Sequence, residues 1–257
     1  MRLELTMEIK EKIEQAASIL RQACHVTALT GAGISTPSGI PDFRSPGCGI
    51  WEFADPFKVA SIFSFSQNPR AFYAWVRPLV HTILNAKSNP AHFALAQLEE
   101  MGLLKAIITQ NIDGLHQRAN SRVVHEVHGH LRQATCIRCY ATVAAEPLIC
   151  AFMETGEIPR CAKCNGVMKP DIVLVGEQLP ARVLIAAQKA ARKSDVMIVA
   201  GSSLQVVPAG DMPILTKARG GKLIFINLGA TCLDDVADVV IHADVVDALP
   251  RLVEALR

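Results

Sequence analysis

The sequence lacks any apolar stretch long enough to cross a membrane, because its apolar runs are strand-sized and end at glycine, proline or charged residues. Residues 1–12 lack the basic start and apolar core of a secretory signal, which predicts a cytoplasmic protein. An excess of one charge is also missing: the net charge is +2, and no block of like charges forms a tail. We therefore expect no membrane contact and no direct nucleic-acid partner.

Internal repeats and low-complexity segments are absent as well, and 50% of the 257 residues are hydrophobic. This length and composition are typical of one large α/β domain with a sizeable core and a small inserted module. Strand-like runs occupy residues 25–30, 105–109, 172–175, 196–200, 223–226 and 239–241. Helical patterns begin after Thr6 and Asn89 and also occupy residues 180–193 and 246–256. Strands that alternate with helices predict a parallel sheet with helices on both faces, whereas residues 34–66 show little periodicity and are predicted to be irregular.

The eight cysteines do not follow a disulfide pattern. Four stand alone, and the other four form two C-x-x-C pairs, Cys136/Cys139 and Cys161/Cys164, separated by 21 residues. In a chain without a secretory signal, two such pairs indicate a metal site before disulfides, and a redox-active motif would need only one pair. Four thiolates with no open position are typical of one structural, tetrahedral zinc ion.

A glycine turn follows the first strand-like run directly, at Gly31, Ala32 and Gly33. In α/β folds such a turn binds phosphates, because glycine lets the backbone approach closely and exposes its N–H groups. The G-x-G-x-x-G pattern of dehydrogenases is broken here, since Thr36 stands in the place of the third glycine. A hydride-transferring dehydrogenase is therefore disfavoured.

Three histidines, His125, His128 and His130, lie close together in the sequence. The ordinary pKa of histidine suits a general base at neutral pH. Residue chemistry alone leaves all three as candidates, and a single histidine is more often structural than catalytic.

The motifs in their order along the chain resemble the sirtuin family. The matching stretches are GAGIS at 31–35, GIPDFRS at 39–45, QNID at 110–113, HG at 128–129, both C-x-x-C pairs, GE at 176–177, GSS at 201–203 and Asn227. The resemblance implies a single catalytic core over residues 1–257. Its Rossmann-like domain is expected at approximately 1–35, 85–130 and 170–257, its zinc module at approximately 130–168, and a helical and loop insertion at approximately 36–84.

The resemblance further implies that NAD is consumed as a co-substrate while an acyl group leaves a lysine side chain of a protein or peptide. The products would be nicotinamide and 2′-O-acyl-ADP-ribose. The match to the HG motif assigns the general base to His128, and Asn111 would orient the ribose hydroxyls. The expected cofactor residues are Gly31, Ala32, Gly33, Ser35, Asp42, Phe43, Arg44, Gln110, Asn111, Ile112, Asp113, Gly201, Ser202, Ser203, Asn227, Asp244 and Val245. The expected substrate residues are Val173, Leu174, Val175, Gly176 and Glu177, which would pair with the substrate backbone as an added strand.

Two departures from the family pattern concern the acyl group. Val175 stands where family members commonly have an aromatic residue. Members that prefer succinyl or malonyl groups carry Tyr-x-x-Arg, whereas here Arg77 follows Tyr73 one position late. One residue rotates a helix by about 100°, so Arg77 is predicted to face elsewhere unless the helix is distorted. An uncharged acyl group is therefore expected, acetyl first and longer fatty acyls as the alternative.

Two other functions stay open at this point. Mono-ADP-ribosyl transfer to a protein uses the same NAD chemistry with a different acceptor. A non-catalytic NAD-binding interaction module would need neither His128 nor Asn111. The presence of both residues, together with the motif around Phe43, favours deacylation. The sequence carries no signal for an oligomeric state.

Overall fold

The computed structural model describes residues 6–43, 45, 47 and 49–257. The strands are β1 (Val26–Thr30), β2 (Leu104–Thr109), β3 (Val124–Glu126), β4 (Gly129–Cys136), β5 (Thr142–Ala144), β6 (Met168–Ile172), β7 (Val196–Ala200), β8 (Lys222–Asn227) and β9 (Val239–His242). The α-helices are α1 (Met7–Arg21), α2 (Ile50–Phe53), α3 (Pro56–Val59), α4 (Ile62–Gln67), α5 (Pro69–Asn85), α6 (Pro90–Glu100), α7 (Leu115–Arg118), α8 (Glu146–Thr155), α9 (Ala181–Lys193), α10 (Met212–Lys217) and α11 (Val245–Ala255).

Six strands form one parallel sheet in the order β3-β2-β1-β7-β8-β9. The central strands β1 and β7 are buried along their whole length, so both faces of the sheet need cover. Ala28 packs into the core beneath α1, α6 and α11, whereas its neighbour Leu29 packs into the core beneath α9 and α10. The sheet order and its two-sided cover confirm the predicted α/β fold.

Side-chain caps fix where two predicted helices begin. The Oγ1 atom of Thr6 accepts a hydrogen bond from the Ile9 backbone N–H at 3.4 Å, at the start of α1. The Oδ1 atom of Asn89 accepts one from the Ala91 N–H at 3.0 Å, and Pro90 follows as the first residue of α6. Both starts confirm the prediction from the sequence.

A separate antiparallel sheet has the order β5-β4-β6 and packs against α8. The prediction of a parallel strand at residues 172–175 is wrong, because Ile172 ends β6 in this small sheet. The backbone N–H groups of Val173 and Val175 donate to the carbonyl oxygens of His128 (2.8 Å) and Ala60 (2.9 Å), outside the large sheet. An apolar run gives the same sequence signal in a buried connection as in a sheet strand.

Residues 34–66 contain the short helices α2, α3 and α4, where the sequence predicted irregular structure. These helices have only four to six residues, too few to show a helical period. The longer helix α5 follows, and its side chains Phe72 and Tyr73 share a core with Phe152 of α8. Within the described part of the chain, no helix is both long and apolar enough to span a bilayer.

Candidate active site

A cleft of about 770 Å³ opens at the carboxyl ends of β1, β2, β7 and β8, the edge where parallel sheets bind ligands. Side chains of α2 and α5 and the connection after β6 complete its walls. Every cofactor, substrate and catalytic residue predicted from the sequence lines this cleft, except Arg44, which lies outside the described residues. Cys48, one of the four single cysteines, also lies outside the described residues. One continuous space therefore joins residues drawn from most of the chain.

Gly31 brings the turn after β1 into close contact with the turn after β7. A Cβ atom on Gly31 would lie 2.9 Å from the Gly201 carbonyl oxygen and 3.0 Å from the Ser202 Cβ atom. Any larger residue would push the two turns apart. The two turns therefore meet at one end of the cleft, at the carboxyl ends of β1 and β7, where α/β sheets bind ligands.

Polar side chains link the strand ends at this end of the cleft. Gln110 Nε2 donates to Ser202 Oγ at 2.8 Å, and the Ser202 backbone N–H donates to Asn227 Oδ1 at 2.8 Å. Asp244 accepts from the Val246 N–H at 3.1 Å and so caps α11. Hydroxyl and amide groups can bind phosphates, a carboxylate can accept from ribose hydroxyls, and the cleft volume suits a ligand of dinucleotide size. The donor set therefore fits NAD.

A chain of hydrogen bonds fixes the side chain of Asn111. Its Nδ2 atom donates to the Gly31 carbonyl oxygen at 3.0 Å and to Ser35 Oγ at 3.1 Å. Ser35 Oγ in turn donates to Asp113 Oδ2 at 2.7 Å, and Asp113 Oδ1 accepts from the Leu115 N–H at 2.8 Å. Burial raises the pKa of Asp113, although these two hydrogen bonds partly oppose the shift. The amide of Asn111 is thus oriented by buried partners.

Of the three candidate histidines, His128 lines the cleft, whereas His125 lies in β3 and His130 in β4 and neither lines it. His128 Nδ1 lies 3.0 Å from the Gln110 backbone carbonyl oxygen. A carbonyl oxygen only accepts hydrogen bonds, so Nδ1 carries the proton and the neutral ring has its lone pair on Nε2. This tautomer is the one that a base acting through Nε2 requires.

Three aromatic rings stack along one wall of the cleft. Phe43 and Trp51 have ring centroids 5.2 Å apart, and Trp51 and Trp75 have theirs 5.5 Å apart. Beside them, Asp42 Oδ1 accepts from the Ser45 backbone N–H at 2.7 Å and closes the turn. The stack gives the cleft an apolar section next to its polar end.

The connection after β6 is held by an ion pair between Lys169 and Glu177, whose Nζ and Oε2 atoms lie 3.1 Å apart. Glu177 Oε2 also accepts from the Leu174 N–H at 2.7 Å, and Lys169 Nζ donates to the Ile172 carbonyl oxygen at 2.8 Å. On the other side, the Ile62 N–H donates to the Val175 carbonyl oxygen at 3.0 Å. Residues 173–177 are therefore fixed from both sides.

The four paired cysteines form a cluster in which all sulfur atoms lie within 4.8 Å of one another. Cys136 and Cys164 have Sγ atoms 3.5 Å apart, and Cys139 and Cys161 have theirs 3.6 Å apart. Tetrahedral zinc with ordinary Zn–S bonds needs sulfur atoms about 3.8 Å apart. The cluster therefore fits one zinc ion, and its four thiolates fill the coordination sphere, as in a structural site.

Comparison with known proteins agrees with these observations. Residues 31–208 match the family model described as the Sir2 family. The chain belongs to the Sir2 family. It is 44% identical to NAD-dependent protein deacylase 2 of Archaeoglobus fulgidus over 97% of this chain and 98% of that protein. It is 43% identical to an NAD-dependent protein deacetylase of Thermotoga maritima over 95% of this chain and 98% of that protein.

Solved Sir2 structures share the architecture of this Sir2-family chain. One, determined for the mechanism and regulation of Sir2 enzymes, superposes with a TM-score of 0.91 at 44% identity and covers 96% of this chain and 98% of that one. A Sir2 complex with a p53 peptide and NAD⁺ superposes with a TM-score of 0.86 at 42% identity over 94% of this chain and 97% of that one. A Sir2 enzyme bound to a propionylated peptide superposes with a TM-score of 0.85 at 42% identity and covers 95% of this chain and 98% of that one.

Tyr73 and Arg77 of this Sir2-family chain are engaged away from the cleft. The Tyr73 hydroxyl donates to the Met168 carbonyl oxygen at 2.5 Å. Arg77 Nη2 donates to the Met153 carbonyl oxygen at 2.6 Å, and the guanidinium lies 5.8 Å from the centre of the Phe152 ring. Arg77 therefore faces α8, as the one-residue shift in the helix predicts.

Several cleft residues were not found from the sequence. They are mainly Trp51, Trp75, Val76, Leu79, Gln205, Val206, Val207, Leu228, Gly229 and Ala230. The residues that follow the GSS motif and Asn227 could have been inferred, because they continue from strand ends already assigned to the site. The two tryptophans gave no such signal, since only the folded chain brings α2 and α5 together.

Proposed function

We propose that this Sir2-family chain is an NAD-dependent protein-lysine deacylase in which His128 is the general base. The observation that carries the proposal is the position of His128: it lines the same cleft as Asn111 and the stacked Phe43, with Nδ1 held by the Gln110 carbonyl. The Sir2 relatives named NAD-dependent deacetylases and deacylases support it, as does the donor set at the strand ends.

When bound, NAD supplies a ribose carbon whose bond to nicotinamide breaks readily, because nicotinamide departs as a neutral molecule. His128 Nε2 accepts a proton from a ribose hydroxyl, and the Gln110 carbonyl oxygen stabilises the N–H of the imidazolium that forms. Asn111, oriented by Gly31 and Ser35, positions the ribose hydroxyls. Phe43, backed by Trp51, excludes water from the reacting carbon.

The other cleft residues contact two different ligands, NAD and the acylated peptide. Ser202, Ser203 and Asn227 at the strand ends hold the phosphates and the adenosine, with Asp244 and Val245 at the border. Residues 173–177 pair with the backbone of the acylated peptide, as an added strand. Solved Sir2 relatives contain a p53 peptide and a propionylated peptide, which supports a peptide substrate here.

The acyl group is uncharged. Trp75, Val76 and Leu79 line the cleft with carbon atoms, whereas Arg77 is turned toward α8. Among the described residues that line the cleft, none would offer a distal carboxylate a lysine or arginine, which makes burial of that carboxylate costly. Acetyl and short alkyl acyl groups match the apolar lining.

One zinc ion would be held by Cys136, Cys139, Cys161 and Cys164, and its role is structural. Each C-x-x-C pair closes a tight turn: the Tyr140 N–H donates to the Cys136 carbonyl oxygen, and the Asn165 N–H to that of Cys161. The metal would join these two turns. The cytoplasmic location stays a prediction from the sequence.

Mass spectrometry of an acetyl-lysine peptide incubated with the protein, with and without NAD, tests the proposal. We expect NAD-dependent loss of acetyl, with nicotinamide and O-acetyl-ADP-ribose as products. Release of nicotinamide together with ADP-ribose on the peptide, and no loss of acetyl, would instead identify a mono-ADP-ribosyltransferase. Intact NAD with every acyl peptide tried would leave an NAD-binding module as the better description.

A further inference from the structure

A second, apolar cavity of about 30 Å³ lies behind one wall of the cleft. Side chains of α5, β4, α8 and β6 enclose it, among them Tyr73, Val80, Phe152 and Met168. Its volume would accommodate one or two water molecules, but water needs polar partners and this lining is almost entirely carbon. A space of this kind is suited to alkyl groups.

Val76 and Ile172 line both the cavity and the cleft. Both side chains are buried members of the core that α5 shares with α8, with 5% and 8% of their surface exposed, and together they form the partition between the two spaces. The neighbours of Val76 along α5 divide between the two spaces: Leu79 lines the cleft and Val80 lines the cavity. Helix α5 therefore passes between the two spaces, with Val76 at the boundary.

We propose that Val76 is the residue that limits acyl-chain length in this protein, by closing the apolar end of the cleft against the cavity behind it. This inference rests on the proposed deacylase function. With Val76 in place the site takes short, uncharged acyl groups. Removing the two methyl groups of Val76 joins the cavity to the cleft and admits a longer unbranched alkyl chain.

Of the two partition residues, Val76 is the one better suited to substitution, because Ile172 also takes part in the strand pairing of the small sheet. Ile172 pairs with Gly129, the residue after His128, and its carbonyl oxygen accepts from Lys169. The residues that line the combined space also determine which acyl groups it excludes. Among the described residues that line either space there is no lysine or arginine, so a joined space would favour fatty acyls and still exclude acyl groups that end in a carboxylate.

The test compares the wild type with Val76→Ala on one peptide carrying acetyl-, butyryl- or hexanoyl-lysine, by measuring kcat/KM for each. We expect V76A to raise the ratio of hexanoyl to acetyl kcat/KM about tenfold, the low end of the discrimination that one methylene gives in an apolar pocket. The matched control is Val80→Ala, which removes the same atoms behind the partition and should leave the ratio within about twofold of the wild type. Succinyl-lysine should remain a poor substrate of V76A.

A second variant guards against a general loosening of the fold. In the double variant Val76→Ala/Val80→Leu, the larger leucine at position 80 fills the cavity. The ratio of hexanoyl to acetyl kcat/KM should then return toward the wild-type value, whereas Val76→Ala alone should keep its raised ratio. An unchanged ratio in folded V76A, or an equal gain in V80A, would overturn the role of Val76. Those results would leave the deacylase function intact, whereas a wild type that removes none of the acyl groups would refute the proposed function itself.

Discussion

The backbone N–H of Gly33 donates a hydrogen bond of 2.8 Å to the carbonyl oxygen of Gly201, and so joins the turn after β1 to the turn after β7. A Cβ atom at Gly33 would lie 2.9 Å from both the Cα atom and the carbonyl oxygen of Gly201. These are backbone atoms, which cannot rotate away as a side chain can. The two turns could then accommodate a side chain only by separating.

Gly33→Ala should therefore weaken NAD binding, with KM for NAD raised about tenfold, and overpacking should cost about 1–3 kcal/mol of unfolding free energy. Steady-state kinetics and urea unfolding measure the two effects. Gly229→Ala is the control, because it lies in the same cleft and its new methyl group would meet nothing within 4 Å. An equal loss of NAD affinity in both variants would argue against the close contact of the turns as the cause.

His128→Ala should remove the base and lower kcat by about 10²- to 10⁴-fold, the usual contribution of general-base catalysis. Zinc content and the thermal unfolding midpoint should stay close to the wild type, because His128 is only half-buried and lies outside the cysteine cluster. His125→Ala is the matched control and should remain active, since His125 does not line the cleft. Full deacetylation by H128A would remove His128 from its role.

Cys136→Ser should abolish the metal site and destabilise the small sheet, because Cys136 is fully buried at the end of β4. Elemental analysis should find about one zinc per chain in the wild type and much less in the variant, with a lower unfolding midpoint. Cys150→Ser serves as the control, since Cys150 is exposed on α8 and is not a member of the cluster. A variant that kept its zinc would contradict the four-cysteine site.

Acid should destabilise the fold through His92. Burial, with a smaller effect of the Arg118 charge, lowers the pKa of His92 to about 4 from its ordinary value near 6.5. The unfolded chain therefore binds this proton more readily than the folded chain. The stabilisation that neutral His92 contributes is fully present above the pKa that histidine has in the unfolded chain. It is lost as the pH falls toward 4, and the free energy of unfolding should fall by about 2 kcal/mol between pH 7 and pH 5.

Urea unfolding at pH 7 and pH 5 checks this effect. His92→Asn should be less stable at pH 7, because it disturbs the contacts of a buried ring, but it should lose less stability on acidification than the wild type. The exposed His81 gives the control variant His81→Asn, which should keep the wild-type pH dependence. An equal loss of unfolding free energy between pH 7 and pH 5 in all three proteins would show that another group is responsible.

The sequence predicted those parts of the site that follow strand ends. Gly31, Gln110 and Gly201 come directly after apolar strands and Asn227 ends one, so their meeting at one edge follows from the parallel sheet. Cysteine spacing likewise predicted the four-sulfur cluster, which the structure places within bonding range of one ion.

Other features depend on contacts that no local pattern encodes. The stack of Phe43, Trp51 and Trp75 joins a loop and two helices, and neither tryptophan stands in a motif. The error at residues 172–175 has a similar cause, since the partners of Val173 and Val175 are His128 and Ala60, both distant in sequence. The local apolar pattern therefore did not identify the hydrogen-bond partners of that segment.

The ion pair of Lys169 with Glu177 has a thermodynamic consequence for substrate association. Because these two side chains and the Ile62 N–H already immobilise residues 173–177, that segment loses little conformational entropy when a peptide binds. The ordering cost then falls almost wholly on the peptide. Flexible, unstructured tails would bear that cost at the moment of binding, whereas acyl-lysines in rigid helices would first have to unfold locally. If residues 173–177 bind the peptide as proposed, this preformed edge would favour targets whose acyl-lysine lies in a locally unstructured segment.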